Sequence, residues 1–358
     1  MQLNSNNFGG IIQDLEDVVY SLSGINWDDV RDSNFFITGG TGFIGTWLVQ
    51  SLIWLNRKFN LNIRVVLLTR KPEHFIKAKK WIYECQEVSI LKGDVRNFDS
   101  PKEKFEYVVH AATESSTNLN NDNPLEMLDV IVSGTKNVLN FAANRGAKKI
   151  IYLSSGAIYG KQPPDITHVD EGFLGGPPIT NSSSAYAEGK RVAELMCICY
   201  AQKFNFEIKI ARLFAFVGPF LKLDSHFAIG NFIRDGLMGG PIIVKGDGTP
   251  YRSYMYASDL SIWLWTILFK GESCRPYNVG SEEPISIADL AYLVSSCFDK
   301  PIEVKIMKQP IPGVPPERYV PSTKRAREEL GLTQKVGLKE AILKTIEWYR
   351  KHPRFLSS

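Results

Sequence analysis

Cysteine is scarce in this 358-residue chain: Cys85, Cys197, Cys199, Cys274 and Cys297 form no CxxC pair, and four of the five sit in apolar-rich segments. This usage fits buried thiols in a reducing compartment and gives no metal-ligand spacing. Long apolar runs are missing too. The two longest, residues 43–55 and 260–269, are too short to span a bilayer, and the polar start MQLNSNNFGG lacks a signal peptide's charge and apolar stretch. A cytoplasmic location without a membrane partner is the expectation. Blocks of like charge are also absent, because 42 basic and 38 acidic residues are spread along the chain for a net charge of +4. Nucleic acid is therefore not an expected partner. With 44% hydrophobic and 22% charged residues, the chain can bury one large core or two linked ones.

Alternation is what the sequence does have. From residue 34, the β-rich runs FFIT, IRVVLLT, VSILKG, YVVHAA, KIIYLSS and FEIKIARLF are separated by segments of helical periodicity. Strands alternating with helices predict an α/β fold, a doubly wound parallel sheet of Rossmann type covered on both faces. After about residue 214 the pattern loosens into MGGPIIVKGDGTP and the helix-like DLSIWLWTILFK and LKEAILKTIEWYRKH. The expected organisation is a helical extension over residues 1–33, a dinucleotide-binding domain over 34–213 and a smaller α+β substrate domain over 214–358, with some of its segments returning to the main sheet. For the extension, whose IIQDLEDVVYSLSG reads as an acidic amphipathic helix, a packing or dimer-contact role is expected.

The stretch NFFITGGTGFIGTWLVQ, residues 34–50, sets Gly39, Gly42 and Gly45 between a predicted strand and a predicted helix. In that context Gly39 can make the tight turn, Gly42 can let backbone approach a pyrophosphate, and Gly45 can let helix and strand pack closely. The free N–H groups of the helix start, at Phe43 and Ile44, then face the phosphates with the positive end of the helix dipole. A tight strand-to-helix turn without a ligand is the alternative. At the end of the second strand, in VVLLTRKP, an acidic residue would accept bonds from the ribose of NAD, whereas Arg70 could pair with the 2′-phosphate of NADP. NADP is favoured over NAD on this ground, against the alternative of a solvated arginine. Asp94, in LKGDVRN, could accept a hydrogen bond from the adenine amino group or simply form a turn.

SSSAYAEGKRVAE places Tyr186 and Lys190 four apart on one face of a predicted helix. An ammonium near a phenol favours the phenolate. Lowering a tyrosine from about 10 to about 7 requires roughly 4 kcal/mol, within reach of a lysine and a cationic nicotinamide in a dry site. Such a phenol can exchange a proton with a sugar oxygen while hydride moves at the attached carbon, and Ser155, in YLSSGAIYG, can share that oxygen's hydrogen bond. YxxxK alone also occurs on surface helices; its position after five alternating strands is what gives it weight.

The set TGGTGFIG, GDV, HAA, LSSGAIYG, YAEGK, GDGTPYRSYMYASDL and YNVGSEEPISIADL resembles the extended short-chain dehydrogenase/reductase superfamily, in particular its nucleotide-sugar epimerase/dehydratase branch, from residue 34 to about 352. The resemblance implies a Rossmann domain for NAD(P), a C-terminal domain for a nucleoside diphosphate sugar, and a catalytic set of Ser155, Tyr186 and Lys190. It adds Val95, Ala111 and Ala112 to the cofactor contacts, and Glu114, Asn231, Arg252 and Arg318 to the substrate contacts. Arg252 would grip the diphosphate, which suits a guanidinium. Asp224 and His226 are placed either to reach the sugar or only to shape a loop. A homodimer through the Tyr186 helix and PLEMLDVIVSGTKNVLNFAANRG is also implied.

Departures from the branch narrow the chemistry. Dehydratases carry an acid/base pair after the catalytic hydroxyl, and decarboxylases of UDP-glucuronate usually carry Glu at the second position. Here Gly156 and Ala157 follow Ser155, and neither transfers a proton. Glu114 is the one nearby acid that could substitute. Ala215 and Ser253 replace a common Asn and Asp, which weakens any transfer of sugar specificity. Reduction of a 4-keto-6-deoxy sugar nucleotide, as in deoxysugar biosynthesis, is slightly favoured through Arg70; a C4 epimerase with retained NAD is the alternative. A reductase of non-sugar carbonyls and a dinucleotide sensor without chemistry are the outlying readings.

Overall fold

A computed structural model describes residues 9–113, 120, 122–225 and 227–356. The six β-rich runs form six strands: β1 Asn34–Thr38, β2 Arg64–Thr69, β3 Val88–Lys92, β4 Tyr107–His110, β5 Lys149–Ser155 and β6 Glu207–Leu213. With Pro276–Val279 they make one seven-stranded sheet, in the order Pro276–Val279, β6, β5, β4, β1, β2, β3. β1 pairs in parallel with both β2 and β4, and β2–β3 and β4–β5 are parallel as well. This is the doubly wound arrangement, and the chain reverses its direction of travel across the sheet between β1 and β4. The crevice at the carboxyl ends of those two strands is where such sheets hold ligands.

Helices precede and separate the strands: α1 Ile12–Ser21 before β1, then α2 Phe43–Phe59, α3 Pro72–Ala78, α4 Lys80–Tyr83, α5 Pro124–Asn144 and α6 Ala185–Phe204. On one face of the sheet α5 and α6 enclose a core built around Phe36, Val108, Ile131, Val138, Phe141 and Ile208. Phe36 meets Phe141 at a centroid distance of 4.3 Å and Phe98 at 5.3 Å, so aromatic packing anchors β1 there. α2 is buried almost throughout and ends at Asn60, whose left-handed backbone (φ 50°) suits asparagine. α1 packs on α2 through buried Leu15 and Val18, and Lys58 of α2 reaches Glu16 at 3.1 Å.

Two compact units share the chain. One comprises residues up to 158 with Pro178–Arg212 and Ser261–Tyr277; the other comprises Tyr159–Pro177, Leu213–Leu260 and the residues from 278. In the second unit, strand Tyr251–Arg252 lies between antiparallel Ile285–Ser286 and parallel Arg318–Tyr319. Its separate segments are tied by buried Asn278, which accepts from the Tyr159 hydroxyl at 2.7 Å and donates to the carbonyls of Val169 and Ser322 at 3.0 Å each. Among the described residues no helix is long and apolar enough to cross a membrane. Cys85, Cys197 and Cys297 are buried, whereas Cys199 is exposed.

Candidate active site

The Gly-rich turn joins β1 to α2, and its three glycines meet different surroundings. Gly39 has φ +70°, and a Cβ there would lie 2.5 Å from the carbonyl oxygen of Ala111. At Gly45 a Cβ would collide with the Gly39 carbonyl and lie 2.5 Å from the Gly40 Cα. At Gly42 it would meet the Gly39 oxygen alone, at an ordinary 3.5 Å. Gly39 and Gly45 therefore let the protein pack against itself, while Gly42 borders open space at the start of α2. No side chain caps that helix, so the amides of Phe43 and Ile44 present the usual unpaired donors of a first turn. Open space in front of uncapped amides fits the pyrophosphate of a dinucleotide.

The ends of β1 and β4 are locked together beside this turn. The Thr38 hydroxyl accepts from the Ala111 and Ala112 amides at 3.2 and 3.1 Å and sits 2.8 Å from His110 Nδ1. His110 Nε2 meets the Thr135 hydroxyl at 3.0 Å, and burial together with the charge of Lys190 pushes the imidazole down to about 3. It is a neutral strut rather than an acid/base group.

Arg70 is exposed at the end of β2, close enough to Asp94 for its charge to act on that carboxylate. The dominant partner of Asp94 is Arg96. Its guanidinium grips both oxygens at 2.9 and 3.0 Å, its amide donates at 2.9 Å, and these bonds hold the carboxyl below its ordinary range. Val95 is buried against Gly134, where a Cβ would lie 2.8 Å from its Cγ1.

Ser155, Tyr186 and Lys190 converge from β5 and α6. The Tyr186 hydroxyl lies close enough to Ser155 for the serine to favour its phenolate, and the Ser155 Oγ accepts from the Ala157 amide at 3.1 Å. Lys190 is buried, with Nζ donating to the Leu153 carbonyl at 2.6 Å and the Thr113 hydroxyl at 2.9 Å, 6.0 Å from the centroid of the Tyr186 ring. Desolvation lowers the ammonium to about 7, and desolvation also raises the Tyr186 phenol, which the nearby Ser155 only partly offsets. The sequence alone suggests a phenol lowered by its lysine. In the free protein burial outweighs that effect, and the phenol keeps its proton.

Three supporting residues escape sequence reasoning. Thr113 receives the Lys190 ammonium, and the Asn120 side chain accepts from the Tyr186 amide at 2.9 Å. Glu194, one turn beyond Lys190, accepts from Ser154 at 2.5 Å and from Arg212 at 2.8–3.2 Å. Its spacing of four from Lys190 is the only sequence signal among them. Glu114 and His226 lie outside the described residues.

The second unit holds the remaining candidates. Arg252 is half-buried, donating to the Tyr251 carbonyl at 2.8 Å, and the Arg318 guanidinium stacks over the Tyr251 ring at 4.4 Å. Parallel pairing of their strands sets Arg318 opposite Tyr251, so two guanidiniums bracket one tyrosine. Asn231 sits in the first turn of helix Ala228–Leu237, its amide donating to the Phe227 carbonyl at 3.2 Å. Asp224 lies in a turn just before that helix. Ser253 is fully buried, and Ala215 is bonded through its carbonyl to the Met255 amide at 3.0 Å.

Comparisons with known proteins agree on one group. The model of the NAD dependent epimerase/dehydratase family matches residues 35–280. UDP-glucuronic acid decarboxylase 6 of Arabidopsis thaliana is 30% identical over 320 residues, 87% of this chain and 90% of that protein. UDP-glucuronic acid decarboxylase 5 of the same plant is 31% identical over 86% of each. Among solved structures, the UDP-glucose 4-epimerase of Thermus thermophilus in complex with NAD superposes with TM-score 0.72 at 25% identity, covering 88% of this chain and 99% of that one. The UDP-N-acetylglucosamine 4-epimerase of Methanobrevibacter ruminantium shares the fold, with TM-score 0.78 at 22% identity over 90% and 99% of the two chains. With its doubly wound sheet, its Gly-rich turn and a match over more than two thirds of its length, the chain belongs to the NAD-dependent epimerase/dehydratase family.

Proposed function

We propose that this protein transfers hydride at C4 of a nucleoside diphosphate sugar, with Ser155, Tyr186 and Lys190 as its acid/base set. The observation that carries the reading is the convergence of Ser155 and Tyr186 beside a buried Lys190, with Gly156 and Ala157 where a second acid/base pair would have to stand. A C4 transfer needs one proton relay; dehydration needs a second. The decarboxylase relatives share the framework, but Ala157 cannot supply the Glu usual in that activity. When bound, the nicotinamide accepts or returns the hydride. Ser155 orients the C4 oxygen, the Tyr186 hydroxyl exchanges its proton with that oxygen, and Lys190 holds the phenol and the nicotinamide ribose.

C4 epimerisation with NAD is the favoured form, since the family is NAD-dependent and the Thermus thermophilus 4-epimerase was solved in complex with NAD. Arg70, exposed at the end of β2, favours the second form, reduction of a 4-keto sugar nucleotide by NADPH. Proton NMR of nucleoside diphosphate hexoses incubated with enzyme separates the two. Inversion at C4 without net cofactor turnover supports the epimerase, whereas 4-keto reduction with stoichiometric NADPH oxidation supports the reductase. Neither reaction across the common nucleotide sugars would end the proposal. Substituting Arg70 with Ala is expected to weaken NADPH at least about tenfold more than NADH if the 2′-phosphate is read there.

Arg252 and Arg318 supply the charge that a diphosphate requires. Arg252→Ala should raise KM for the sugar nucleotide about tenfold or more while kcat changes little, and Arg252→Lys should not restore it, because a lysine lacks the two-point fork. An unchanged KM would remove Arg252 from the diphosphate site. A homodimer through α5 and α6 belongs to the same reading, with Leu125, Val192 and Leu195 exposed on those helices. Light scattering at micromolar concentration should then give twice the chain mass, and a monomer would contradict it.

A further inference from the structure

Glu194 continues the stripe of α6 that carries Tyr186 and Lys190, four residues further on and on the same face. The three side chains meet three consecutive residues of β5. Tyr186 lies beside Ser155, the Lys190 Nζ donates to the Leu153 carbonyl at 2.6 Å, and the Glu194 carboxylate accepts from the Ser154 hydroxyl at 2.5 Å. From β6 the Arg212 fork closes on the same carboxylate, with Nε at 3.1 and 3.2 Å from its two oxygens and Nη2 at 2.8 Å from one of them. The side chains of this ion pair are only 13% (Arg212) and 9% (Glu194) exposed.

A buried ion pair is a costly way to fasten a helix to a sheet, because both charges give up their hydration, and apolar side chains of the same volume often serve as well. What apolar side chains would not supply is a charge. The groups that face Lys190 from the neighbouring elements are neutral. The Thr113 hydroxyl and the Leu153 carbonyl accept its bonds, the Tyr152 ring lies 4.8 Å from Nζ, His110 on β4 is an uncharged imidazole, and α5 turns Ile131 and Thr135 inward. On α6 itself, burial raises both the Cys197 thiol and the Tyr186 phenol, so neither carries a charge at neutral pH. Glu194, paired with Arg212 of β6, is the acid whose charge acts on the ammonium.

Resting on the reading of Tyr186 and Lys190 as the proton relay, we infer that Glu194 is a positioning residue of that relay: fixed by Arg212 and Ser154, its carboxylate holds Lys190 as an ammonium and keeps the stripe of α6 in step with β5. Desolvation lowers the Lys190 ammonium to about 7, and the carboxylate opposes that shift. Removing the carboxylate therefore lowers the value further, and the ammonium is lost at a lower pH. In the proposed reaction this ammonium holds the nicotinamide ribose. NADH affinity in the wild type should then be full below about pH 6 and fall as pH rises through about 7, and in Glu194→Gln the same fall should come about one unit earlier.

Fluorescence titration of NADH into the full chain, from about pH 5.5 to about pH 8.5, reads this directly. Lys79, which donates to the Thr41 carbonyl at 2.8 Å beside the Gly-rich turn, is also lowered to about 7 by burial. Lys190→Met therefore marks the share of the pH dependence that belongs to Lys190. At about pH 7.5 Glu194→Gln should bind NADH about three- to tenfold more weakly than wild type, and the two should converge near about pH 5.5, where both lysines carry their charge. A purely structural role would weaken binding at every pH and leave the shape of the profile alone. That outcome, or a profile identical to wild type, would overturn the inference. Should loss of the carboxylate beside Arg212 keep Glu194→Gln from folding, Glu194→Gln combined with Arg212→Met removes both charges of the pair at similar volume and should move the fall in the same direction. Equal pH profiles in wild type and Lys190→Met would instead overturn the assignment of Lys190 to the ribose, and a wild-type protein that binds neither NADH nor NADPH would overturn the dinucleotide reading itself.

Discussion

Tyr186→Phe is expected to lower kcat by about 10²- to 10⁴-fold on any confirmed sugar nucleotide while leaving NADH affinity within about twofold. The substitution removes one oxygen. The ring keeps its place against the core beside α5, and the Lys190 ammonium keeps its bonds to Leu153 and Thr113. Lost are the hydroxyl beside Ser155 and the proton that the C4 oxygen must gain or give up. Because burial raises the phenol in the free protein, Tyr186 stands ready as an acid at neutral pH. The reductive direction should therefore proceed without prior deprotonation. In the oxidative direction kcat/KM should climb with pH, because the phenolate needed there is the minor form. Steady-state rates in both directions, with a fluorescence titration of NADH, check all of this. A variant turning over at the wild-type rate would remove Tyr186 from the proton relay.

The parts of the site carried by local patterns were legible in the sequence. β1 is a run of FFIT whose burial on both faces suits a strand between two others, and the glycine spacing fixed the turn after it. The spacing of four between Tyr186 and Lys190 put both on one face of α6, and Ser155 closes β5 as an apolar strand ending at the crevice should. What stayed hidden depends on contacts distant in sequence. Lys79 sits in KAKKW with no pattern to single it out, and only the fold turns one of its three lysines 38 residues back to the Thr41 carbonyl. Thr113 and Asn120 carry no pattern, since each acts across more than 60 residues through a single bond. The direction of the Tyr186 shift was hidden for a related reason. Proximity of a lysine is visible in sequence, whereas the desolvation that opposes it comes from the packed core around α5 and α6.

Gly42→Asp and Gly45→Val should separate the two uses of glycine in the turn. Gly42 has φ −77° and ψ −177°, extended backbone open to any residue, and a Cβ there meets one oxygen at 3.5 Å. Aspartate is a favoured residue at a helix start and its charge suits the positive end of the dipole, so thermal stability should hold or rise by about 0.5–1 kcal/mol. The same carboxylate stands in the space read as the pyrophosphate site, where like charge and bulk should reduce NADH affinity at least about 100-fold. Gly45→Val has the opposite signature. Its side chain is driven into the backbone of Gly39 and Gly40, which cannot yield as a flexible side chain would, and a loss of about 3 kcal/mol is expected. Thermal melts paired with NADH titrations decide between the roles. A stable Gly42→Asp protein with wild-type affinity would mean that the pyrophosphate does not rest on this turn, whatever Tyr186 and Lys190 do. A Gly42→Asp protein as unstable as Gly45→Val would mean that all three glycines serve packing alone, and the open space at the start of α2 would lose its assigned ligand.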